Sequence, residues 1–229
     1  MDSFVSEYIS NVDVLRNQKV VNINVQKIYD TIFKSFKNTN DVIELHLCNT
    51  YSKDCYLMSF GNKRYLVYNE YLTDVFRELN LISLCDVFDD DIKKIIAKLL
   101  TEEYCILAEY PAAQYMAQKY SSFPYYRYKS NVNASINKKS STYTTIQTWF
   151  IIAHEIAHWY RFEYLSDYEV LVHKRTLLTN MLGERDDLTS TQIRDYYESN
   201  DEIIEECICD STAMLIVIND KCYHKYSKD

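Results

Sequence analysis

Glycine and proline are nearly absent, with two of each in 229 residues. Sheet-rich folds consume both residues in their turns, so this scarcity argues against an all-β architecture and for helices. Long apolar runs are lacking as well. The longest, WFIIA and AMLIVI, fall far short of the roughly 20 residues a membrane helix needs, so no membrane partner is expected. No long basic stretch occurs, and 33 acidic residues outnumber 25 basic ones for a net charge of −8. Clustered Lys and Arg carry affinity for a phosphate backbone, so no nucleic-acid partner is expected either. The first ten residues, MDSFVSEYIS, have neither the positive start nor the apolar core of a secretory signal. The seven cysteines are irregularly spaced and form no C-x-x-C pair; their densest grouping is Cys207-x-Cys209. Reduced thiols and a cytoplasmic location are the expectation.

What is present is a globular composition. The apolar fraction is 47%, and the length suits one domain over residues 1–229. Residues 22–37 carry apolar groups at helical spacing: Val25, Ile28, Ile32 and Phe36. The pattern then changes. DVIELHLC (41–48) partly alternates, and DCYLMSF and RYLVYNEYL flank Gly61-Asn62, a hairpin turn signal. A small antiparallel or mixed sheet of about three strands is expected here. Helical spacing resumes in YLTDVFRELN and in DDDIKKIIAKLLTEEYCILAEY, whose triplet Asp89–Asp91 suits a helix N-terminus. Residues 1–120 thus form an N-terminal lobe. Residues 121–143 are rich in Ser, Asn and Lys without periodicity, and read as a long surface loop, functional or a tolerated insertion. Residues 144–229 read as a helical part. Thr144 with Gln147, and Ser199 with Glu202, fit capping boxes at the starts of two helices. The expected fold class is α+β, mostly α-helical.

The first of these helices contains HEIAH, His154 to His158. Residues four apart share a helix face, so both imidazoles aim at one point, and neutral imidazole is a favoured zinc ligand. Glu155 lies about 100° around the axis, where it can reach a water beside a metal and act as general base. The flanking residues Ile151, Ile152, Ala153, Ile156, Ala157, Trp159 and Tyr160 are uncharged. The alternative is a pair of core histidines bonded to backbone, which leaves two imidazoles and a carboxylate to be buried at a cost.

A zinc site needs a third protein ligand and an open position for water. Glu206 and Asp210 sit four apart in the second capped helix, among Ile203, Ile204, Cys207, Ile208, Ala213 and Met214. Glu206 is the candidate third ligand, and Asp210 the candidate partner for the far nitrogen of a ligand histidine. Glu205 and Glu202 are fallback ligands, and the bland alternative is a solvated Glu206 with Asp210 paired to a Lys or Arg.

With these motifs the chain resembles the zincin metallopeptidases of the gluzincin branch, which carry His-Glu-x-x-His on one helix and Glu-x-x-x-Asp on a later one. The resemblance covers about residues 144–218 and implies zinc ligands His154, His158 and Glu206, general base Glu155 and outer carboxylate Asp210. It implies a zincin-like fold, a protein or peptide substrate, and a zinc-dependent endopeptidase acting on a specific intracellular protein. It also implies substrate binding as an added strand on a sheet edge, for which Arg64, Tyr65, Leu66 and Val67 are candidates. The alanine usual before the Asp is Cys209 here, and the metzincin glycine and third histidine are lacking. Candidates for supporting an oxyanion are His173, His224, Tyr168, Tyr196 and Tyr197. Two competing readings are a zincin-fold regulatory protein that binds a partner without cutting it, and a structural zinc held in part by Cys207 or Cys209.

Overall fold

The computed structural model describes residues 23–36, 42–50, 52–85, 89–124, 126–183 and 187–219. Its elements in chain order are α1 (Val25–Phe33), β1 (Ile43–Cys48), β2 (Cys55–Phe60), β3 (Lys63–Asn69), α2 (Glu70–Leu84), α3 (Asp89–Ile106), α4 (Tyr110–Ser122), a 3₁₀ turn (Tyr128–Ser130), α5 (Ala134–Tyr164), α6 (Asp167–Leu182), α7 (Leu188–Glu198) and α8 (Asp201–Asn219). The described residues are mostly helical with one small mixed sheet, an α+β architecture. No described helix is long and apolar enough to cross a membrane.

The sheet has strand order β1-β3-β2. β1 runs parallel to β3, with Ile43 opposite Arg64 and Leu45 opposite Leu66. β2 runs antiparallel to β3, with Cys55 opposite Tyr68 and Phe60 opposite Lys63. Gly61 takes φ +59° at the hairpin turn, a conformation glycine adopts without a Cβ penalty. β3 is therefore the central strand, and residues 64–67 are not a sheet edge. Tyr65, Leu66 and Val67 are all fully buried. An unbroken buried run is the mark of a strand covered on both faces and paired on both sides, whereas an edge strand would alternate. β2 is an outer strand of the sheet, and it packs beside α5.

α5 is the central support. It runs 31 residues, roughly 46 Å at 1.5 Å per residue, and starts ten residues earlier than the Thr144 pattern suggests. Asn133 caps it, its side chain accepting from the Ile136 N–H at 3.0 Å. Much of the expected 121–143 loop is thus helix: Ala134 to Tyr143 belong to α5, and α4 extends to Ser122. The Ser- and Thr-rich composition that looked like a loop is instead a polar seam. Ser140, Thr144 and Thr148, spaced four apart, are fully buried. Ser140 Oγ donates to the Arg77 carbonyl at 3.2 Å, and Asn80 of α2 donates to Thr144 Oγ1 at 3.1 Å and to Gln147 Oε1 at 2.7 Å. Thr144 and Gln147 bridge helices here and do not cap one.

Of two other expected helix starts, one holds and one shifts: α3 begins at the acidic triplet, with Asp89, Asp90 and Asp91 in its first turn. Asp91 of the acidic triplet is buried and accepts from the backbone N–H groups of Arg127 and Tyr128, at 2.8 and 3.0 Å, tying the 3₁₀ turn to α3. Ser199 belongs to the end of α7, its hydroxyl donating to the Tyr196 carbonyl at 2.9 Å, and the backbone of Asn200 begins α8 by accepting from Ile204 N–H.

Past the polar seam α5 turns apolar. Ile152, Ala153, Ile156 and Ala157 are buried in one cluster with Ile28, Tyr29 and Ile32 of α1, Leu66 and Tyr68 of β3, and Cys209, Ala213 and Val217 of α8. Burying each of the two isoleucines contributes about 1.5–3 kcal/mol. The small residues Ala153, Ala157, Cys209 and Ala213 let α5 and α8 lie close, and that approach positions the site.

Candidate metal centre

His154 and His158 project from α5 one turn apart, and α8 presents Glu206 to both. His154 Nε2 lies 3.0 Å from His158 Nε2 and 3.2 Å from Glu206 Oε2, and His158 Nε2 lies 3.5 Å from Glu206 Oε1. These three residues form the group able to share a metal ion among the described residues. The imidazoles are sheltered, with side chains 14% and 21% exposed, while Glu206 and Asp210 stand at the open rim, 59% and 55% exposed. The rim is more open than the apolar flanks of α8 suggest.

The outer nitrogens decide the chemistry. His154 Nδ1 lies 2.9 Å from Asp210 Oδ1, and His158 Nδ1 lies 3.3 Å from Glu205 Oε1. An ionised carboxylate only accepts, so each ring must donate from Nδ1. In the neutral ring the lone pair then sits on Nε2. With both rings neutral, two lone pairs and the Glu206 carboxylate face one another across 3.0–3.5 Å, an arrangement that repels unless a metal ion or a proton lies between them. Ligand atoms at zinc distances around a tetrahedral centre are about 3.3 Å apart, so this donor set fits the ion.

Glu155 is half-buried beside this group. Burial pushes its carboxyl up to about 7. Neighbouring His154 opposes the shift, Glu206 adds to it, and the backbone N–H of Leu57 opposes it by donating to the carboxylate. Leu57 lies in β2, whose ladder with β3 includes the Asn69 N–H to Asp54 carbonyl bond. Antiparallel ladders alternate, so Leu57 points its N–H outward and Tyr56 and Met58 point theirs at β3. The outer edge of β2 therefore runs past Glu155. The edge strand beside the HEIAH helix is this one, and not the expected 64–67 segment.

Sequence reasoning left the Glu205–Arg161 pair unread. Glu205 was a fallback ligand, but it reaches His158 from the outer side and forms an ion pair with Arg161. Burial raises the Glu205 carboxyl, yet the Arg161 and His158 donors outweigh burial and leave it below its ordinary value. A signal existed: Arg161 stands three residues past His158, one helical turn along the same face.

Other expected participants lie elsewhere. Cys209 is fully buried in the core, with its thiol pushed up to about 12 mainly by burial, and neither it nor Cys207 joins the three-residue group. A zinc held partly by these cysteines does not fit. His173 and Tyr196 are exposed on α6 and α7, outside that group. Tyr168 and Tyr197 occupy helical positions whose side chains are not described, and His224 lies outside the described residues. An apolar cavity of about 330 Å³ opens between α2, α5 and α8, lined by Phe76, Ile146, Gln147, Phe150, Ile151, Met214 and Val217. Phe150 is one turn before His154, its ring centroid 6.2 Å from the imidazole.

Searches against protein-family models, curated proteins and solved structures give no match for this chain.

Proposed function

We propose that this chain is a zinc-dependent metallopeptidase with a zincin-like arrangement, hydrolysing a peptide bond of a protein or peptide substrate. The observation that supports this most is the convergence of two imidazoles and one carboxylate, with the half-buried Glu155 beside them. His154, His158 and Glu206 would hold the ion. When bound, zinc would supply a Lewis acid that acidifies water and polarises a carbonyl.

The chain's own residues do the rest. Glu155 lies beside the group that would hold the ion, where it takes a proton from the attacking water and returns it to the leaving amine. Leu57 N–H holds that carboxylate in place. The outer edge of β2 offers backbone groups on which an extended substrate segment can lie. Cytosolic action follows from the same reading as the reduced cysteines.

Elemental analysis of protein purified without added metal tests the centre, together with mass-spectrometric detection of products from a peptide library. One zinc per chain and Glu155-dependent cleavage are expected. Full zinc occupancy in a His154→Ala, His158→Ala double variant would reject the assignment.

A further inference from the structure

Glu205 and Glu206 are adjacent on α8, and the structure gives them different surroundings. Glu206 is 59% exposed and faces both Nε2 atoms. Glu205 is 21% exposed and faces His158 from the other side, with Oε1 3.3 Å from Nδ1. Its second oxygen is held by the Arg161 guanidinium, itself only 15% exposed. Arg161 and His158 are three residues apart on α5, so guanidinium, carboxylate and imidazole form a chain that leaves α5, touches α8 and returns.

We propose that Glu205 is a positioning residue for His158, braced by Arg161, and not an alternate ligand. This rests on the metal-centre reading above. Glu205 accepts the Nδ1 proton and so fixes the tautomer that leaves Nε2 for the ion. The ring is held against rotation by a carboxylate whose second oxygen is tied to Arg161. Arg161 occupies the oxygen that would otherwise be free to swing toward the two Nε2 atoms, so of two neighbouring glutamates only Glu206 presents itself. The guanidinium also balances the charge of Glu205, so bracing His158 adds no net negative charge to a centre that already carries Glu206 and Asp210. Each ligand histidine thereby has its own carboxylate: Asp210 at the exposed rim for His154 and Glu205 in shelter for His158.

The test is zinc affinity of the full chain by competition with a chromophoric chelator, with melting temperatures of the zinc-stripped proteins alongside. Glu205→Ala should bind zinc roughly 10- to 100-fold more weakly, and its zinc-free form should melt somewhat below zinc-free wild type, because the sheltered Arg161 loses its partner. Glu205→Gln keeps an acceptor oxygen for Nδ1 and should fall between the two. A purely structural strut would lower the zinc-free melting temperature and leave zinc affinity untouched, and that result overturns the proposal. If Glu205→Ala fails to fold, Glu205→Gln decides by zinc affinity: affinity below wild type supports the brace, and wild-type affinity overturns it. His154→Ala separates the two levels. Wild-type zinc affinity in that variant would overturn the metal centre and the brace with it, whereas its loss beside unaffected Glu205 variants overturns the brace alone.

Discussion

His154 and Asp210 lie 56 residues apart in the chain, and their Nδ1 and Oδ1 atoms meet at 2.9 Å. Asp210 is one helical turn beyond Glu206, and the same helix face that brings Glu206 to Nε2 brings Asp210 to Nδ1. Replacing Asp210 by Ala removes the acceptor that fixes the ring. Zinc affinity should drop about 10- to 100-fold, and the melting temperature should recover as excess zinc is added. Chelator competition and thermal scans against zinc concentration measure both.

Glu155→Gln preserves shape and the Leu57 N–H contact but cannot take a proton. Bound zinc should stay at wild-type stoichiometry, and peptide hydrolysis should fall by at least about 100-fold, the low end of what positioned general bases contribute. Elemental analysis and product detection on one preparation check the pair of outcomes, and near-normal turnover would show that another group is the base.

Asp74 of α2 offers a pH test away from the centre. One of its oxygens, Oδ1, is buried without a hydrogen-bond partner. Burial raises its carboxyl to about 6, against the pull of Arg77 and Lys98 and with added pressure from Glu70 and Glu78. The folded state therefore holds the Asp74 proton more tightly than the unfolded chain does. Its unfavourable contribution is absent below about pH 4, grows as pH rises toward 6, and is complete above that. Asp74→Asn should stabilise the protein at pH 7.5, by at most ~2 kcal/mol given the partial exposure, and the gain should all but vanish at about pH 3.5, below the unfolded value. Urea titrations at the two pH values decide it; an equal gain at both would remove the ionisation argument.

Ile156 sits between the two histidines in sequence but faces the core, fully buried against α1, the sheet and α8. Truncation to Ala should cost about 2–5 kcal/mol and lower the melting temperature by roughly 5–15 °C. The folded variant should still bind one zinc at low temperature, because the ligand face is on the other side of the helix. Differential scanning calorimetry and metal analysis test this separation.

Local information determined a good deal of this protein. Near-absence of glycine and proline, together with the 3.6-residue spacing of apolar groups, specifies helices. Gly61-Asn62 between two β-prone runs specifies a hairpin. The i, i+4 spacing of His154 and His158 puts two imidazoles on one face by helix geometry alone. Tertiary structure decided what depends on neighbours distant in sequence. Ser140 and Thr144 read as loop or cap because their hydroxyls compete for backbone groups, until α2 supplies the partners that let them be buried in a helix. β3 is central because β1 returns parallel to it, and a strand's own residues do not choose how many neighbours it has. Which glutamate faces Nε2 and which is drawn aside by Arg161 is set by how α8 crosses α5. A rotation of α8 by one residue, about 100°, would exchange Glu205 and Glu206 while leaving every local pattern intact. The packing of Ala153, Ala157, Cys209 and Ala213 between the two helices fixes that rotation.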